Sequence, residues 1–433
     1  MVTIVDELSK RRRMISALYV SSSQVVYTPA WLVDRILDRF PKRVWSNPDL
    51  TWCEPALKAG EFSIAVAIRL MDGLKDVIKN DTKRFDHITK NMLYGYAVDD
   101  ISALVSRKTL YGSREIQGNV FDKSFIDDGS KKMEFDIELM NPPFQPSKTK
   151  LGDTRVLWPQ FVDCAFKSVK KDGGYVVFIS PTMRGRKYLK SLRAKGQVTY
   201  LEIHNNKALG NTKPVELGID VFGVWTGFDC YVVRTTKNGC TEPTQVRDFE
   251  GNVHEENLMD WPFFPGAEYK FIKSLLVTDK DARFEGHYSS NAYHLTKKNT
   301  WMHKTKTKTY RNPIVNSIRK NGEIDYQWSC RRDRGHFGEP KVIITDNGYI
   351  NNPINDFTGT FGMSQHGFGI TISSRKEGDM IVRALLSDTF NRVVWSTKFG
   401  ASTQTDFQMF TYFKKDWYKI VLEEDAKRKK NAK

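Results

Sequence analysis

An Asn-Pro-Pro-Phe motif at residues 141–144 ends an apolar run that begins at Phe135, and its side chains are well suited to chemistry. The run predicts a short buried strand that ends at the edge of a parallel sheet, where open α/β folds bind their ligands. Neither proline has an N–H to donate, so the strand must stop there, and the stiff turn fixes the direction of the carbonyls. Asn141 offers an amide oxygen, Pro142 a carbonyl oxygen and Phe144 an aromatic face. The motif predicts a site for a planar ring that bears an amino group, although an ordinary strand exit with a solvent-facing Asn has the same sequence.

A second candidate stretch begins at Leu50 and reads Leu-Thr-Trp-Cys-Glu-Pro-Ala-Leu-Lys-Ala-Gly-Glu-Phe. It predicts a strand, a turn of small residues and then a helix, which brings backbone N–H groups and a helix N-terminus against a ligand. Glu54, at the end of this predicted strand, could hold a polar group of that ligand. The single glycine of the turn, Gly60, is a weak motif by itself, and a plain strand-to-helix connection is the alternative.

An acidic pair, Asp99 and Asp100, follows the next predicted strand, Met92–Val98, and precedes a predicted helix. An acid at the end of the second strand of such a sheet commonly accepts both hydroxyls of a ribose, because a carboxylate can take two hydrogen bonds. Aspartate is also a common helix N-cap, so the pair has a structural interpretation as well. A third strand is predicted over Glu115–Asp122, with its loop at Gly118-Asn119.

Predicted strands and helices alternate through the larger part of the chain, which indicates an α/β fold with a doubly wound sheet. Residues 1–24 predict a basic helix at the N-terminus, and a second helix begins after Tyr27-Thr28-Pro29, with Thr28 as its N-cap. We expect one domain over residues 25–265 and another over residues 266–433. Later strands are predicted at Tyr175–Ser180, Gln197–Ile203 and Ile219–Val224.

Charge and cysteine content restrict the class of protein. The chain of 433 residues has a net charge of +16, and residues 264–433 contain 29 Lys and Arg against 18 Asp and Glu. This basic excess indicates a polyanionic partner. The five cysteines form no Cys-x-x-Cys pair, and neither a signal peptide nor a membrane-spanning apolar run is visible. We therefore expect a reduced, cytoplasmic protein without a metal site.

In the C-terminal part, residues 293–334 interleave Lys and Arg with aromatic residues. Cations neutralise phosphates and aromatic rings stack on bases, so this stretch predicts contact with nucleic acid, with a solvated basic loop as the alternative. The candidate cations are Lys304, Lys306, Lys308, Arg311, Arg331, Arg332 and Arg334, and the aromatic residues are Tyr293, Trp301, Tyr310 and Trp328.

The order of these motifs resembles that of S-adenosylmethionine-dependent adenine-N6 DNA methyltransferases in their gamma arrangement. The family includes stand-alone modification methylases and the methylase part of restriction–modification enzymes. The resemblance covers residues 24–265 with motifs, and the C-terminal third matches only by position and composition. It implies a Rossmann-like methyltransferase sheet followed by an α+β target-recognition domain. It also implies S-adenosylmethionine as cofactor, double-stranded DNA as substrate, a prokaryotic or phage origin and a candidate partner in a restriction endonuclease.

The resemblance implies roles for individual residues. Asn141, Pro142 and Phe144 match the catalytic motif, and either Asp99 or Asp100 matches the acid that binds the ribose. Other positions that match the cofactor site are Tyr27, Thr28, Pro29, Glu54, Ala56, Gly60 and Asn119, and Asn141 is shared with it.

The chemistry of the implied reaction agrees with these residue types. The exocyclic nitrogen of adenine is a poor nucleophile, because its lone pair is delocalised into the ring. Hydrogen bonds from its N–H groups to Asn141 and to the Pro142 carbonyl would localise the lone pair for in-line attack on a sulfonium methyl, without a metal or a covalent intermediate. Phe144 would stack on the base, which must be flipped out of the duplex at a cost on the order of a few kcal/mol.

Other assignments stay open at this point. Similar motifs occur in methyltransferases that act on RNA adenines or on a protein glutamine, and cytosine-N4 enzymes usually have Ser where Asn141 stands. Glu339-Pro340-Lys341, with Asp325 upstream, imitates the metal site of a nuclease and would indicate a methylase–nuclease fusion. Lys58 stands where the family has a glycine, and Asn119 where it often has an acid. These two departures leave a non-catalytic DNA-binding module possible.

Overall fold

The computed structural model describes residues 2–18, 27–116, 118–129, 133–144, 156–205, 221–222, 227–278, 281–288, 292, 300–319, 321–346, 350–398 and 407–431. The chain divides into two compact units, Met1–Trp261 and Pro262–Lys433. The division falls after Trp261, whereas the sequence suggested residue 265. No described helix has the length and apolar character needed to span a membrane.

The first unit is built from helices and strands that alternate along the chain, as the sequence predicted. In chain order they are α1 (Ile4–Leu18), α2 (Ala30–Leu37), β1 (Trp52–Leu57), α3 (Glu61–Gly73), α4 (Asp81–His87), β2 (Leu93–Ala97), α5 (Asp100–Tyr111), β3 (Asn119–Phe121), β4 (Ile137–Met140), α6 (Trp158–Ser168), β5 (Tyr175–Ser180), α7 (Arg186–Lys195), β6 (Gly196–His204), β7 (Phe228–Thr235), β8 (Thr244–Arg247) and β9 (Val253–Glu256).

These strands form one nine-stranded sheet in the order β3-β2-β1-β4-β5-β7-β6-β8-β9. Strands β3, β2, β1, β4 and β5 are parallel, while β7 is antiparallel to both of its neighbours, β5 and β6. The order reverses between β1 and β4, and a reversal of this kind opens a crevice at the carboxyl ends of the two strands. The predicted Rossmann-like, doubly wound methyltransferase sheet is confirmed.

Both faces of the central strands are covered. Ile137 and Leu139 of β4 belong to a core cluster that also contains apolar residues of α1, α2 and α3. Their neighbours Glu138 and Met140 are equally buried but lie outside that cluster. Because successive side chains of a strand point to opposite faces, elements on both sides must cover the sheet. Helix α6 covers the second face, where Ser168 Oγ donates to Glu138 Oε1 at 2.6 Å.

The start of α2 differs from the prediction. Pro29, not Thr28, occupies the N-cap position, and no side chain caps the helix there. The proline ring presets a backbone angle that suits the start of a helix, so the helix begins without a hydroxyl cap. The Thr28 side chain is consequently available for a contact elsewhere. Helix α1, predicted as a separate segment, lies within the first unit with Leu8 fully buried.

Two strand predictions need correction. Of the predicted strand Ile219–Val224, Val221 and Phe222 are helical, and the rest lies outside the described residues. The strand that follows β6 is β7, which pairs with β5 and β6 along its whole length. The third strand is shorter than predicted and begins at Asn119, which was placed in a loop.

The second unit has an α+β composition, with two four-stranded sheets in the orders β10-β17-β14-β15 and β11-β13-β12-β16. Its elements are α8 (Tyr269–Leu275), β10 (Gly286–Tyr288), β11 (Met302–His303), β12 (Asn312–Ile318), β13 (Ile324–Ser329), β14 (Lys341–Thr345), β15 (Ile354–Asp356), β16 (Gly362–Met363), β17 (Gly367–Thr371), α9 (Arg375–Leu385), α10 (Asp388–Ser396) and α11 (Trp417–Asn431).

Candidate active site

Asn141 directly follows β4 at the carboxyl edge of the sheet, and its side chain is 6% exposed. Its Nδ2 donates to Thr28 Oγ1 at 3.2 Å. The amide oxygen lies on the other branch of the same planar group and accepts no hydrogen bond from any described residue. Thr28 therefore orients Asn141 so that a strong acceptor remains unused at the edge of the sheet.

The remainder of the motif continues this edge. Pro142 is buried, while Pro143 and Phe144 are half-buried. The Phe144 carbonyl accepts a hydrogen bond from the Leu157 N–H at 3.2 Å, which ties the end of the motif to the residue before α6. A flat, partly exposed ring beside a buried acceptor is the arrangement that stacking on a planar ligand requires.

A cofactor loop, defined as residues 58–60, connects β1 to α3. Gly60 occupies the N-cap position of α3 with φ 82°, a left-handed conformation in which a Cβ would be strained. Ala56 is 3% exposed and lies inside β1. This turn places the N-terminus of α3 beside the carboxyl end of β1, at the reversal of strand order.

Glu54 is buried and faces the helix. Its Oε2 accepts hydrogen bonds from Ser63 N at 2.9 Å and from Ser63 Oγ at 2.6 Å. Burial, followed by the nearby charge of Glu61, raises the pKa of Glu54 to about 8. At neutral pH this carboxyl group is therefore mostly protonated in the folded protein.

Glu61, the first residue of α3, is a functional candidate that the sequence reasoning missed. Its Oε1 accepts the Thr28 N–H at 3.3 Å and its Oε2 accepts the Ala59 N–H at 3.1 Å. The side chain is only 7% exposed. The signal in the sequence was an acid directly after Gly60, where a carboxylate meets the free N–H groups of a helix start.

Lys58, the main departure from the family pattern, is also buried, with 8% of its surface exposed. Burial lowers the pKa of its ammonium group, and the carboxyl groups of Glu61 and Glu54 act in the opposite direction. Its backbone carbonyl accepts a hydrogen bond from Ser106 Oγ at 3.0 Å. The cofactor loop therefore contains one buried cation, and a buried acid lies in each of the two elements that it connects.

Of the two roles considered for the acidic pair after β2, the structure shows the helix cap. Asp99 is the N-cap of α5, and its Oδ1 accepts the Ser102 N–H at 2.7 Å. Asp100 is the first residue of the helix and is exposed. Burial, and then the charges of Glu61 and Asp99, raise the pKa of Tyr27. The structure therefore brings Tyr27 into the electrostatic neighbourhood of Asp99 and Glu61.

Asn119 is not brought to this edge, and its predicted place in the cofactor site needs correction. It begins β3 opposite Tyr94, near the amino end of β2. Its Nδ2 donates to the carbonyls of Lys90 and Leu93, at 2.8 and 3.3 Å. Asp122, which follows the last residue of β3, is the exposed acid on the carboxyl side of this strand.

From the sequence, Phe222 and Trp225 are the two guesses for a second aromatic residue that would close the pocket over a flipped base, and Phe222 does not provide it. That ring is 8% exposed and packs on Phe228 with a centroid distance of 4.5 Å, inside the main core cluster. The other guess, Trp225, lies outside the described residues.

In the second unit the seven predicted nucleic-acid-binding cations are all exposed. The side chains of Lys304, Lys308 and Arg311 have no hydrogen bond, ion pair or ring contact with another described residue. Arg331 pairs with Asp333, and the Arg332 Nη2 donates to the Gly359 carbonyl at 3.0 Å. The cations of this unit therefore differ in how far they are available to a phosphate.

The aromatic residues among them are less available than predicted. The Arg334 guanidinium lies 5.7 Å from the ring of Trp301, and the Lys306 ammonium lies 5.2 Å from that of Trp328. Tyr310 stacks on His303 at 5.2 Å. Tyr293 lies outside the described residues. A base could stack on these three rings only if their present contacts opened.

The nuclease-like motif is not arranged as a metal site. Lys341 is fully buried, and its Nζ donates to Asp356 Oδ2 at 3.0 Å and to the carbonyls of His336 and Glu339, at 2.8 and 3.0 Å. Three hydrogen bonds use the whole donor capacity of an ammonium group. Within the described part of the chain, no cluster of His, Cys, Asp and Glu could hold a metal ion.

The chain was compared with known proteins. No protein-family model matches it. It is 34% identical over 116 residues to an uncharacterized adenine-specific methylase from Mycoplasma pneumoniae, which covers 25% of this chain and 28% of that protein. The chain thus spans little more than a quarter of the curated relative's length. The resemblance to adenine-specific methylases that the motifs predicted is confirmed by this relative.

Two solved structures with a similar fold match different shares of this chain and of their own chains. A protein from Listeria monocytogenes, described as a class I S-adenosylmethionine-dependent methyltransferase, has a TM-score of 0.37 and 10% identity over 55% of this chain and 72% of its own. The ATP-dependent Type ISP restriction-modification enzyme LlaBIII, bound to DNA, has a TM-score of 0.49 and 11% identity over 96% of this chain and 41% of its own. The predicted cofactor, S-adenosylmethionine, is the one in the description of the Listeria protein.

Proposed function

We propose that the protein is a site-specific DNA adenine methyltransferase, which transfers the methyl group of S-adenosylmethionine to N6 of an adenine flipped out of duplex DNA. The observation that carries this proposal is the orientation of Asn141. Its Nδ2 is held by Thr28 Oγ1 at 3.2 Å, so its Oδ1 is left as the acceptor for an amino group. The carbonyl of the next residue, Pro142, supplies a second acceptor.

These two acceptors explain how the site could activate a poor nucleophile. Hydrogen bonds from both N–H groups of the adenine amine would pull N6 out of conjugation and localise its lone pair. When bound, S-adenosylmethionine supplies a methyl group on a positively charged sulfur as the electrophile. Asn141 and Pro142 hold the nitrogen in position, and they stabilise the positive charge that develops on it before a proton is lost to solvent.

The cofactor loop and the elements that flank it offer polar groups of both kinds. Two buried acids, Glu54 and Glu61, and one buried cation, Lys58, lie there, and S-adenosylmethionine carries an ammonium and a carboxylate group at its methionine end. Gly60 lets the backbone approach the ligand closely, because no side chain intervenes at the start of α3. One of the two acids after β2, Asp99 or Asp100, would accept the hydrogen bonds of the ribose hydroxyls.

DNA is the proposed substrate because exposed cations are concentrated in the second unit. Lys304, Lys308 and Arg311 have no competing contact with another described residue, so they can neutralise phosphates without breaking an existing pair. We propose that this unit recognises the target. A restriction endonuclease is a candidate partner of the enzyme.

The test is to measure modified nucleosides by mass spectrometry in the DNA of a methylation-deficient host that expresses the protein. Asn141→Ala is the critical variant, and Asn91→Ala, which changes an exposed Asn of the same unit, is the matched control. N6-Methyladenine with the intact protein and the control, but not with Asn141→Ala, is the expected result.

Other results of this measurement would favour another substrate or another activity. N4-Methylcytosine would keep the mechanism and change the base. Unmodified DNA from cells that contain the folded protein would contradict the DNA proposal and direct the same measurement to RNA adenines and protein glutamines. Magnesium-dependent cleavage of DNA by the purified protein would indicate a nuclease activity, which the buried Lys341 argues against.

A further inference from the structure

We propose that Glu61 is a positioning residue that couples the cofactor loop to the orientation of Asn141. The proposal rests on the proposed methyl transfer and adds to it a residue to which the sequence motifs assigned no role. Glu61 does not touch the reacting atoms in this scheme and acts through Thr28.

A continuous chain of hydrogen bonds connects the two ends of the site. The Ala59 N–H of the cofactor loop donates to Glu61 Oε2 at 3.1 Å, and the Thr28 N–H donates to Glu61 Oε1 at 3.3 Å. The Thr28 hydroxyl in turn accepts from Asn141 Nδ2 at 3.2 Å. Thr28 is therefore held through its backbone by Glu61 and holds Asn141 through its side chain.

Burial makes this chain sensitive to the loss of any member. Thr28, Glu61 and Asn141 are 4%, 7% and 6% exposed. Water cannot readily replace a lost partner at such positions, and an unmade hydrogen bond then costs more than it does at the surface. The segment Tyr27-Thr28-Pro29 has no side-chain cap at α2, and Glu61 accepts the backbone N–H of its middle residue.

The carboxylate of Glu61 is the group that the two N–H donors require. A carboxylate has two acceptor oxygens, one for each N–H, whereas a glutamine amide has one oxygen and one N–H₂ group. Glu61→Gln would therefore place a donor against a donor on one side of the link. A movement of the Ala59 N–H on ligand binding would be transmitted to Thr28 through the same two oxygens.

The competing explanation is that Glu61 only stabilises the start of α3, as acids in the first turn of a helix commonly do. In that case its substitution would weaken the fold or cofactor binding but would act independently of Thr28. Energetic coupling between the two residues separates the explanations, and a double-mutant cycle measures it.

The experiment uses the full-length protein with Glu61→Gln, Thr28→Val and the double variant. It measures the single-turnover rate of methyl transfer to DNA and, separately, the affinity for S-adenosylmethionine. Thr28→Val removes the hydroxyl acceptor but keeps the backbone N–H and the side-chain shape. We expect each single variant to slow transfer by roughly tenfold. The double variant should be no more than about twofold slower than the slower single variant, because both changes break the same chain.

Glu54→Gln is the matched control. It also replaces a buried acid next to the cofactor loop by an amide, but the bonds of that acid go to Ser63 and not to Thr28. The rate losses of Glu54→Gln and Thr28→Val should therefore multiply. Thr28→Ser, which restores the hydroxyl, should recover most of the rate lost in Thr28→Val.

Three results would overturn the proposal. Rate losses of Glu61→Gln and Thr28→Val that multiply would leave an active methyltransferase in which Glu61 is merely structural. Thr28→Val with the wild-type rate would break the chain at its second link. A wild-type protein that transfers no methyl group would refute the proposed function itself, which is a separate observation. If Glu61→Gln does not fold, as judged by circular dichroism, Glu61→Asp replaces it, because the shorter acid cannot reach both donors.

Discussion

The candidate active site of the first unit and the basic segment of the second unit hold their charges in opposite ways. Around Asn141 and the cofactor loop, the ionisable and polar side chains are buried, and each has a specific partner. Between Lys304 and Arg334 the described cations are exposed, and several have no partner among the described residues. The buried arrangement of the first unit fixes the direction of hydrogen bonds to a ligand. The exposed arrangement of the second unit supplies positive charge to an approaching anion.

The difference predicts two distinct responses. Burial shifts pKa values strongly, so the first unit should be sensitive to pH and to the loss of single atoms. Exposed charges are screened by ions, so the second unit should be sensitive to salt and tolerant of single substitutions. The predictions below test this contrast.

The largest expected effect is that of Asn141→Ala. Removal of a single preorganised group that acts on the reacting nitrogen should lower the single-turnover rate of methyl transfer by about 10²- to 10³-fold. Rapid-quench measurements with a DNA duplex check this, and Asn91→Ala should keep the wild-type rate. A decrease of the rate by less than about tenfold would mean that the Asn141 amide is not a main source of the rate enhancement.

The next effect is the pH dependence of stability caused by Glu54. Its pKa is raised by burial from an ordinary value of 4.5 to about 8, so the native state retains a proton that the unfolded chain releases. The retained proton on Glu54 contributes its full stabilisation at pH values below the pKa of the unfolded state. This contribution is lost as the pH rises through the pKa of the folded state. Between about pH 5.5 and 7.5 the free energy of unfolding should fall by roughly 2–3 kcal/mol relative to Glu54→Gln.

Denaturant unfolding at several pH values, followed by tryptophan fluorescence, measures this difference. Glu54→Gln cannot titrate, so its stability relative to wild type should rise with pH. Two curves that stay parallel over this range would show that Glu54 does not keep its proton in the native state.

A smaller effect is expected from the cations of the second unit. Lys304→Ala combined with Lys308→Ala should weaken DNA binding by roughly tenfold or more at physiological salt, and should reduce the slope of log affinity against log salt by about 1.8, since each phosphate contact contributes about 0.9. Arg331→Ala should change the slope less, because Asp333 already neutralises that guanidinium. Fluorescence anisotropy over a salt series checks both, and equal slopes for all variants would remove this segment from the DNA interface.

The smallest effect is that of Gly60→Ala. The φ of 82° should cost about 1 kcal/mol of stability for an L side chain, although the nearest atom to a new Cβ, on Ser106, would lie 3.8 Å away. Gly173→Ala is the matched control, because φ is 80° there and no atom would lie within 4 Å. Both variants should lose similar stability in thermal unfolding, and only Gly60→Ala should weaken S-adenosylmethionine binding. Equal affinity in the two would separate Gly60 from the cofactor site.

The comparison also shows which predictions could be made without a structure. The ends of β1, β2 and β4 were predictable, because apolar runs followed by glycine, acids or proline are local signals. The C-terminal basic excess was predictable from composition. The absence of a Thr28 cap on α2 and the position of Asn119 could not be predicted, because a strand start and a helix cap depend on which neighbouring segments compete for the same hydrogen bonds.

The sequence alone determined that an Asn-Pro-Pro-Phe turn would end a buried strand beside a glycine turn, since prolines stop a ladder wherever they occur. Only the tertiary structure decided that Asn141 donates to Thr28, 113 residues away in the chain, and that Glu61 bridges Thr28 to Ala59. It likewise decided that the Asn119 side chain lies toward the amino end of the sheet and that the buried Lys341 ammonium donates to Asp356. The physical reason is that a buried polar group must find a partner, and folding brings distant segments within hydrogen-bond reach of one another.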